Sequence, residues 1–282
     1  MTARSVSPAE SGLSYPVRIV AERLGIPTAT LRTWNQRYGI GPAAHQPGRH
    51  RLYTEADIAL LERMRALIDA GASPSGAAEL VRAGSARRGD TAPLLRAAFA
   101  FDTAAVSRLL TAHLRDFGVT GTWDLLCRPA FADIVARQGE GEGCIDVEHL
   151  LSWCVMSVLH RTNPPPASGV PVRVLLACTR GEAHSLPLEA LRAALAERGV
   201  GAHMLGADVP TDALSGTLGR LEPGVAVMLW SQQESTALTS AVRAGISAGA
   251  QVHVGGPGWA AVILPEQAIR VADLWDAVER LS

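Results

Sequence analysis

The chain has 282 residues, room for two or three domains, and a formal net charge of −1 at pH 7. That balance excludes a protein that meets polyanions along its whole length. Its four cysteines (Cys127, Cys144, Cys154 and Cys178) contain no C-x-x-C pair, so neither a zinc site nor a disulfide framework is read from spacing, and no apolar run reaches the roughly 18 residues of a membrane span.

The opening MTARSVSPAESGLS lacks the apolar core of a signal peptide. It predicts a disordered tail over 1–14 on a cytoplasmic protein. In YPVRIVAERLGIP, Val17, Val20 and Leu24 fall at i, i+3 and i+7, one helical face. Gly25-Ile26-Pro27 predicts a tight turn, with Pro27 as first residue of a second helix in which Leu31, Trp34 and Tyr38 repeat the spacing. Two short helices joined this way make a helix-turn-helix. GIGPAAHQPGRHRLY predicts a small β-hairpin, or wing. Thr54 then caps a third helix, with Asp57 at the capping-box position and Ile58, Leu61, Met64 and Leu67 on its core face. Gly71 ends it, and Ser73-Pro74 opens a fourth that stops near Gly84. Residues 15–84 are thus expected to form a winged helix-turn-helix.

SARRGDTAP, 85–93, reads as a linker. Helices then follow one another in LLRAAFAF, TAAVSRLLTAHLRDF, TWDLLCRPAFADIVARQ and VEHLLSWCVMSVLHR, with Asp102, Thr122 and Asp146 as expected caps. Together they predict a four-helix bundle over 90–162, its third helix kinked at Pro129. NPPPASG, 163–169, is a stiff linker. VRVLLACT, GAHMLGA, VAVMLW and QVHVGG alternate with helical stretches and predict a Rossmann-like (flavodoxin-like) parallel sheet over 170–282, closed by the helix DLWDAVERL. The expected fold class is multi-domain, α and α/β.

Charge is concentrated at the front. Residues 16–55 carry Arg18, Arg23, Arg32, Arg37, Arg49 and Arg51 against Glu22 and Glu55, a net +4. On the second helix, Arg32, Asn35, Gln36 and Arg37 lie away from the apolar face. Arg pairs with guanine, and Asn or Gln with adenine, in a major groove. Arg18 and Tyr38 border this surface, and Arg49, His50 and Arg51 in the wing suit phosphates. The same residues also fit a solvated face on a helical interaction domain.

TLRTWNQRYGI followed by PGRHRLYTEADI resembles the amino-terminal domain of the MerR family of transcription regulators. Trp34 with Arg37-Tyr38-Gly39 resembles the branch of the CarA, CarH and LitR light-dependent regulators. This resemblance implies a regulator rather than an enzyme, acting as a homodimer or homotetramer on double-stranded operator DNA. RNA polymerase stays open as a further partner.

TRGEAHSLP, 179–187, places His184 after an expected strand, in the loop where open α/β sheets bind ligands. The residues alone allow a metal ligand, a general base or a polar loop residue. No Ser/His/Asp or paired-carboxylate set accompanies it, so hydrolysis has no support. His113, His160, His203 and His253 show no ligand spacing and read as structural. The branch resembled above carries a cobalamin-binding unit, a helical bundle over a Rossmann-like domain, with a loop of acidic residue, any residue, His, two residues, Gly. Here it reads Glu182-Ala183-His184-Ser185-Leu186-Pro187. The resemblance implies that His184 is the lower axial ligand of cobalt and that Glu182 holds the ring's other N–H. Pro187 stands where the family has glycine.

The resemblance also implies a Ser-x-Leu and a Gly pair around the cofactor's nucleotide tail. Here these read Ser231-Gln232-Gln233 and Gly255-Gly256. It implies a Trp ten positions before a Glu-His pair, over the upper face. Glu148 and His149 are present, but Gln138 stands at the Trp and Gly139 at its neighbouring His. Trp123 and Trp153 stay open as other caps. The implied cofactor is cobalamin, adenosylcobalamin first, with another tetrapyrrole or no ligand as alternatives. The expectation is therefore a DNA-binding repressor controlled by a ligand held between bundle and sheet, with light as the implied signal. The alternatives are a ligand-free assembly platform on the same head, or a corrinoid-dependent methyl carrier, which the helix-turn-helix argues against.

Overall fold

In a computed structural model of the chain, the described residues are 14–42, 52–78, 81, 90–165 and 171–282. The chain divides into two compact units, one built on residues up to 90 and the other on nearly all of 91–282.

The amino-terminal unit comprises β1 (Ser14–Pro16), α1 (Val17–Leu24), α2 (Thr28–Tyr38), β2 (Leu52–Thr54), α3 (Glu55–Asp69) and a helical turn at 74–78. Gly25 sits in the left-handed region at φ 61° and lets the chain reverse between α1 and α2. Pro27 lies just outside α2 in extended backbone rather than being its first residue. α3 opens with a full capping box: the Asp57 N–H donates to Thr54 Oγ1 at 3.2 Å, and the Thr54 N–H to Asp57 Oδ2 at 2.9 Å. Val20, Leu24, Leu31, Trp34, Tyr53, Ile58, Leu61 and Met64 form the core. Fully burying each aliphatic contributes about 1.5–3 kcal/mol.

The expected hairpin is revised in one respect. β2 pairs antiparallel with β1, Tyr53 opposite Tyr15, so Ser14 belongs to a strand and not to a tail. This pairing buries the Tyr53 ring completely. Residues 43–51, with Arg49, His50 and Arg51, lie outside the described residues, as do the expected tail before Ser14 and most of both linkers.

The carboxy-terminal unit starts with α4 (Ala92–Phe99), α5 (Thr103–Thr122), a π-type turn (Trp123–Cys127), α6 (Arg128–Gly139) and α7 (Ile145–Thr162). Asp102 caps α5 through the Ala105 N–H at 2.8 Å. Two expected caps are corrected. Thr122 caps nothing; the helical run passes through it, and its buried hydroxyl bonds His113 Nδ1 at 2.9 Å. The break falls at Gly118 (φ 65°, ψ −177°), where the Val119 N–H donates to both oxygens of Glu197 at 3.1 Å. Asp146 lies inside the first turn of α7, which starts from Cys144. Pro129 sits in the first turn of α6, directly after the π-type turn that absorbs its missing N–H.

The sheet holds β3 (Val172–Thr179), β4 (Gly201–Val209), β5 (Ala226–Trp230), β6 (Gln251–Gly255) and β7 (Ile269–Arg270), all parallel, in the order β4-β3-β5-β6-β7. β7 is an addition to the expected four strands. The helices are α8 (Leu186–Glu197), α9 (Thr211–Leu218), α10 (Thr239–Ser247) and α11 (Leu274–Leu281). β3 is buried from Val174 to Thr179, as a strand covered on both faces must be. Strand order reverses between β3 and its neighbours, which opens a ligand position at their carboxyl ends.

The bundle stands on α8, against which α5 and α7 both pack. A polar seam ties them: His160 Nε2 lies 2.8 Å from Glu189 Oε2, and Arg192 donates to Glu189 at 3.0 Å and to the Asn163 carbonyl at 2.8 Å. The apolar part of the contact, around Leu110, Leu114, Val155, Val158 and Ala190, leaves a gap of about 10 Å³, room for about one water. Among the described residues, no helix is long and apolar enough to cross a membrane.

Candidate functional site

The loop from β3 to α8 is held at both ends. On the β4 side, the Gly181 N–H donates to Asp208 Oδ1 at 2.6 Å, and the Asp208 N–H donates to the Glu182 carbonyl at 2.8 Å. Pro187, in the first turn of α8, suits a helix start, where an N–H has no partner to lose.

Between these anchors Glu182 turns inward, 1% exposed. Its Oε1 accepts the His184 N–H at 2.9 Å and His184 Nδ1 at 2.6 Å. Its Oε2 accepts the Gln232 N–H at 2.7 Å and the Thr236 hydroxyl at 2.7 Å. Burial alone would raise this carboxyl, but the donors from His184, Thr236 and Gln232 together outweigh it and bring it down to about 2. Glu182 is therefore ionised and only accepts. His184 Nδ1 then donates to Glu182, and in the neutral ring it is Nε2 that carries the lone pair. The ring itself is half open, its side chain 52% exposed.

That donor set restricts the ligand. Among the described residues, no group of three or more His, Cys, Asp and Glu gathers to hold a metal ion. A tetrahedral zinc takes three or four protein ligands. A metal already held by a macrocycle needs only one, with the second nitrogen fixed by a carboxylate, and His184 with Glu182 fits that demand.

The other expected residues divide into two groups. Ser231, Gly255 and Gly256 reach the same end of the sheet. Ser231 is fully buried and its hydroxyl lies 2.8 Å from the Gln233 carbonyl and 2.6 Å from Thr236 Oγ1, so it props the β5 loop. Gly256 has φ 104°, and a Cβ there would lie 2.2 Å from the Ser231 carbonyl oxygen. Glu148 and His149 lie on the first turns of α7 instead. Glu148 accepts from Gln138 Nε2 at 2.8 Å, and His149 is exposed. Three contributors were not anticipated. Thr236 and Asp208 carry no spacing signal, and Thr179, which donates to the Thr236 carbonyl, reads only as the end of a strand.

On the amino-terminal unit, Arg32, Gln36 and Arg37 are exposed on α2. Arg18 is exposed on α1, 3.9 Å from Glu22. Asn35 donates to the Pro42 carbonyl at 3.3 Å, and Tyr38 is half-buried against the core. The α2 surface therefore presents two guanidinium forks and an amide to solvent.

Residues 15–84 match the MerR HTH family regulatory proteins. The chain is 30% identical over 229 residues to the HTH-type transcriptional repressor CarA of Myxococcus xanthus, spanning 77% of this chain and 76% of that protein. It is 28% identical over 228 residues to the repressor CarH of the same organism, spanning 74% and 76%. Among solved structures, the monomethylamine corrinoid protein of Methanosarcina barkeri aligns at 14% identity and a TM-score of 0.48, covering 66% of this chain and 94% of that one. A cobalamin-binding protein of Desulfitobacterium hafniense aligns at 15% identity and a TM-score of 0.32, covering 68% and 96%.

Proposed function

The chain belongs to the family of MerR-type transcriptional regulators that includes CarA and CarH, and from that premise we propose a repressor whose grip on operator DNA is set by a corrinoid seated on the His184 loop. One observation carries the reading: the buried Glu182 carboxylate holds the His184 ring by Nδ1 and leaves Nε2 to a ligand. A corrinoid bound there would supply a cobalt centre, which His184 would hold through that nitrogen. Glu182 fixes the ring's tautomer and orientation. Glu148 and His149 on α7 would contact the ligand from the bundle.

In the amino-terminal unit, Arg32, Gln36 and Arg37 read base edges, while Arg18, Arg49, His50 and Arg51 hold phosphates. Control is a population shift: a ligand that binds one assembly, dimer or tetramer, better than another pulls the chain toward it, and operator affinity follows. α8 is the mechanical link, because it begins at the His loop and carries the bundle. An adenosylated corrinoid is the first class of ligand to try and light the first signal.

The test is incubation of the purified chain with adenosylated corrinoids in dark and light, read by absorption and gel filtration. The reading expects a retained corrin spectrum, a change of elution size with ligand, and loss of the histidine-ligated signature in His184→Ala. A chain that retains no corrinoid and elutes unchanged overturns it and leaves the carboxy-terminal unit as an assembly platform.

A further inference from the structure

The surroundings of the His loop also bear on which corrinoid it takes, a question that rests on the reading just given and deepens it. Cobalamin carries its own base on a nucleotide tail. For His184 to take the lower position, that base has to leave the metal, and the tail has to lie against the protein beside the loop. β3 lies between β4 and β5 in the sheet, and on the β5 side the loop is bordered by the carboxyl ends of β5 and, beyond it, β6. There, space opened by two glycines is already filled by the chain itself. A Cβ on Gly255 would lie 2.4 Å from Met228 Cε, 3.0 Å from Val271 Cγ2 and 3.5 Å from Trp230 Cε3. One on Gly256 would lie 2.2 Å from the Ser231 carbonyl oxygen and 3.1 Å from Trp230 Cε2. The Trp230 indole therefore rests on the bare backbone of the glycine pair.

The two loops are also laced together. The Ser231 N–H donates to the Gly255 carbonyl and the Gly258 N–H to the Ser231 carbonyl, each at 3.1 Å. The buried Trp230 N–H finds no acceptor, so packing rather than a polar bond holds the ring there. A tail entering this groove would have to displace the indole and break the lacing.

We propose that the His184 loop takes a corrinoid without a nucleotide tail, and that Trp230 is the specificity-determining residue that occupies the tail's place. Specificity of this kind comes from a clash with the wrong ligand as much as from contacts with the right one. Cobalamin in its base-on form keeps its own base between the metal and the imidazole, so it gains nothing from His184.

The experiment titrates the full chain with cobinamide, the tailless corrinoid, and with cobalamin. Affinity is followed by absorption. The ligand on cobalt is followed by electron paramagnetic resonance of the cobalt(II) forms, using protein labelled with heavy nitrogen in histidine. The expected result is cobinamide bound at least about tenfold tighter, with the labelled nitrogen on cobalt, and cobalamin bound without it. Trp230→Ala should raise cobalamin affinity by about tenfold and bring the labelled nitrogen onto its cobalt. Cobalamin bound by the unaltered chain as tightly as cobinamide, with histidine on the metal, overturns the inference and keeps the corrinoid reading. Binding of neither ring removes both.

Discussion

Glu182 and Glu148 are both carboxylates of the proposed pocket, yet their surroundings differ. Glu182 is buried, and both of its oxygens accept hydrogen bonds from the His184, β5 and Thr236 segments. Glu148 is half-buried and takes its side-chain bond from Gln138, while His149 beside it is exposed. On the proposed reading, the floor of the pocket, the His loop, is organised before any ligand arrives, whereas its roof, on α7, is held by the Gln138–Glu148 bond. Pre-organisation on one side lowers the cost of binding, and a lighter hold on the other leaves room for a ligand-dependent rearrangement.

Removing the floor's carboxylate should break this contrast most strongly. Glu182→Ala strips the acceptor from the His184 and Gln232 N–H groups and from the Thr236 hydroxyl. A loss of about 3–5 kcal/mol is expected, read from the urea midpoint. A loss below about 1 kcal/mol would mean the loop is not the rigid half. Gly256→Ala comes next, at about 2–4 kcal/mol, because φ 104° is a glycine conformation and the new methyl meets a backbone carbonyl that cannot rotate away. Glu197→Ala removes the acceptor at the Gly118 break and should cost about 1 kcal/mol; an unchanged melting temperature would remove this contact as a tie between α8 and the bundle. Smallest is Glu148→Gln, within about 0.5 kcal/mol of the parent in stability, while the ligand-induced change of elution size weakens. A large stability loss there would make the roof as rigid as the floor and erase the comparison.

These differences also explain how far the sequence could be read. Its local signals are sound. Gly25 after α1, the Thr54/Asp57 box and Asp102 before α5 each depend on residues within three or four positions. The Glu182–His184 contact is just as local, two residues apart, which is why the loop could be singled out. What escaped depends on distance along the chain. The break at Gly118 is stabilised by Glu197, 78 residues beyond Val119, so Thr122 was the better cap on local grounds and the wrong one. β7 has two residues, too few for an alternation to show. Thr236 and Asp208 join the site only because the order β4-β3-β5 brings their loops beside the His loop. Gln138 reads in sequence as a lost Trp, and only the packing of α6 against α7 turns it into the partner of Glu148.

The central claim is that an imidazole at the sheet edge governs the grip of a DNA-binding head elsewhere in the chain. Operator titration of the parent and His184→Ala, each with and without bound corrinoid at one salt concentration, tests it most directly. The account expects the corrinoid to move the parent's operator affinity by about fivefold or more and to leave His184→Ala where it was. Identical curves for the parent with and without the cofactor, or an equal shift in both proteins, would contradict it.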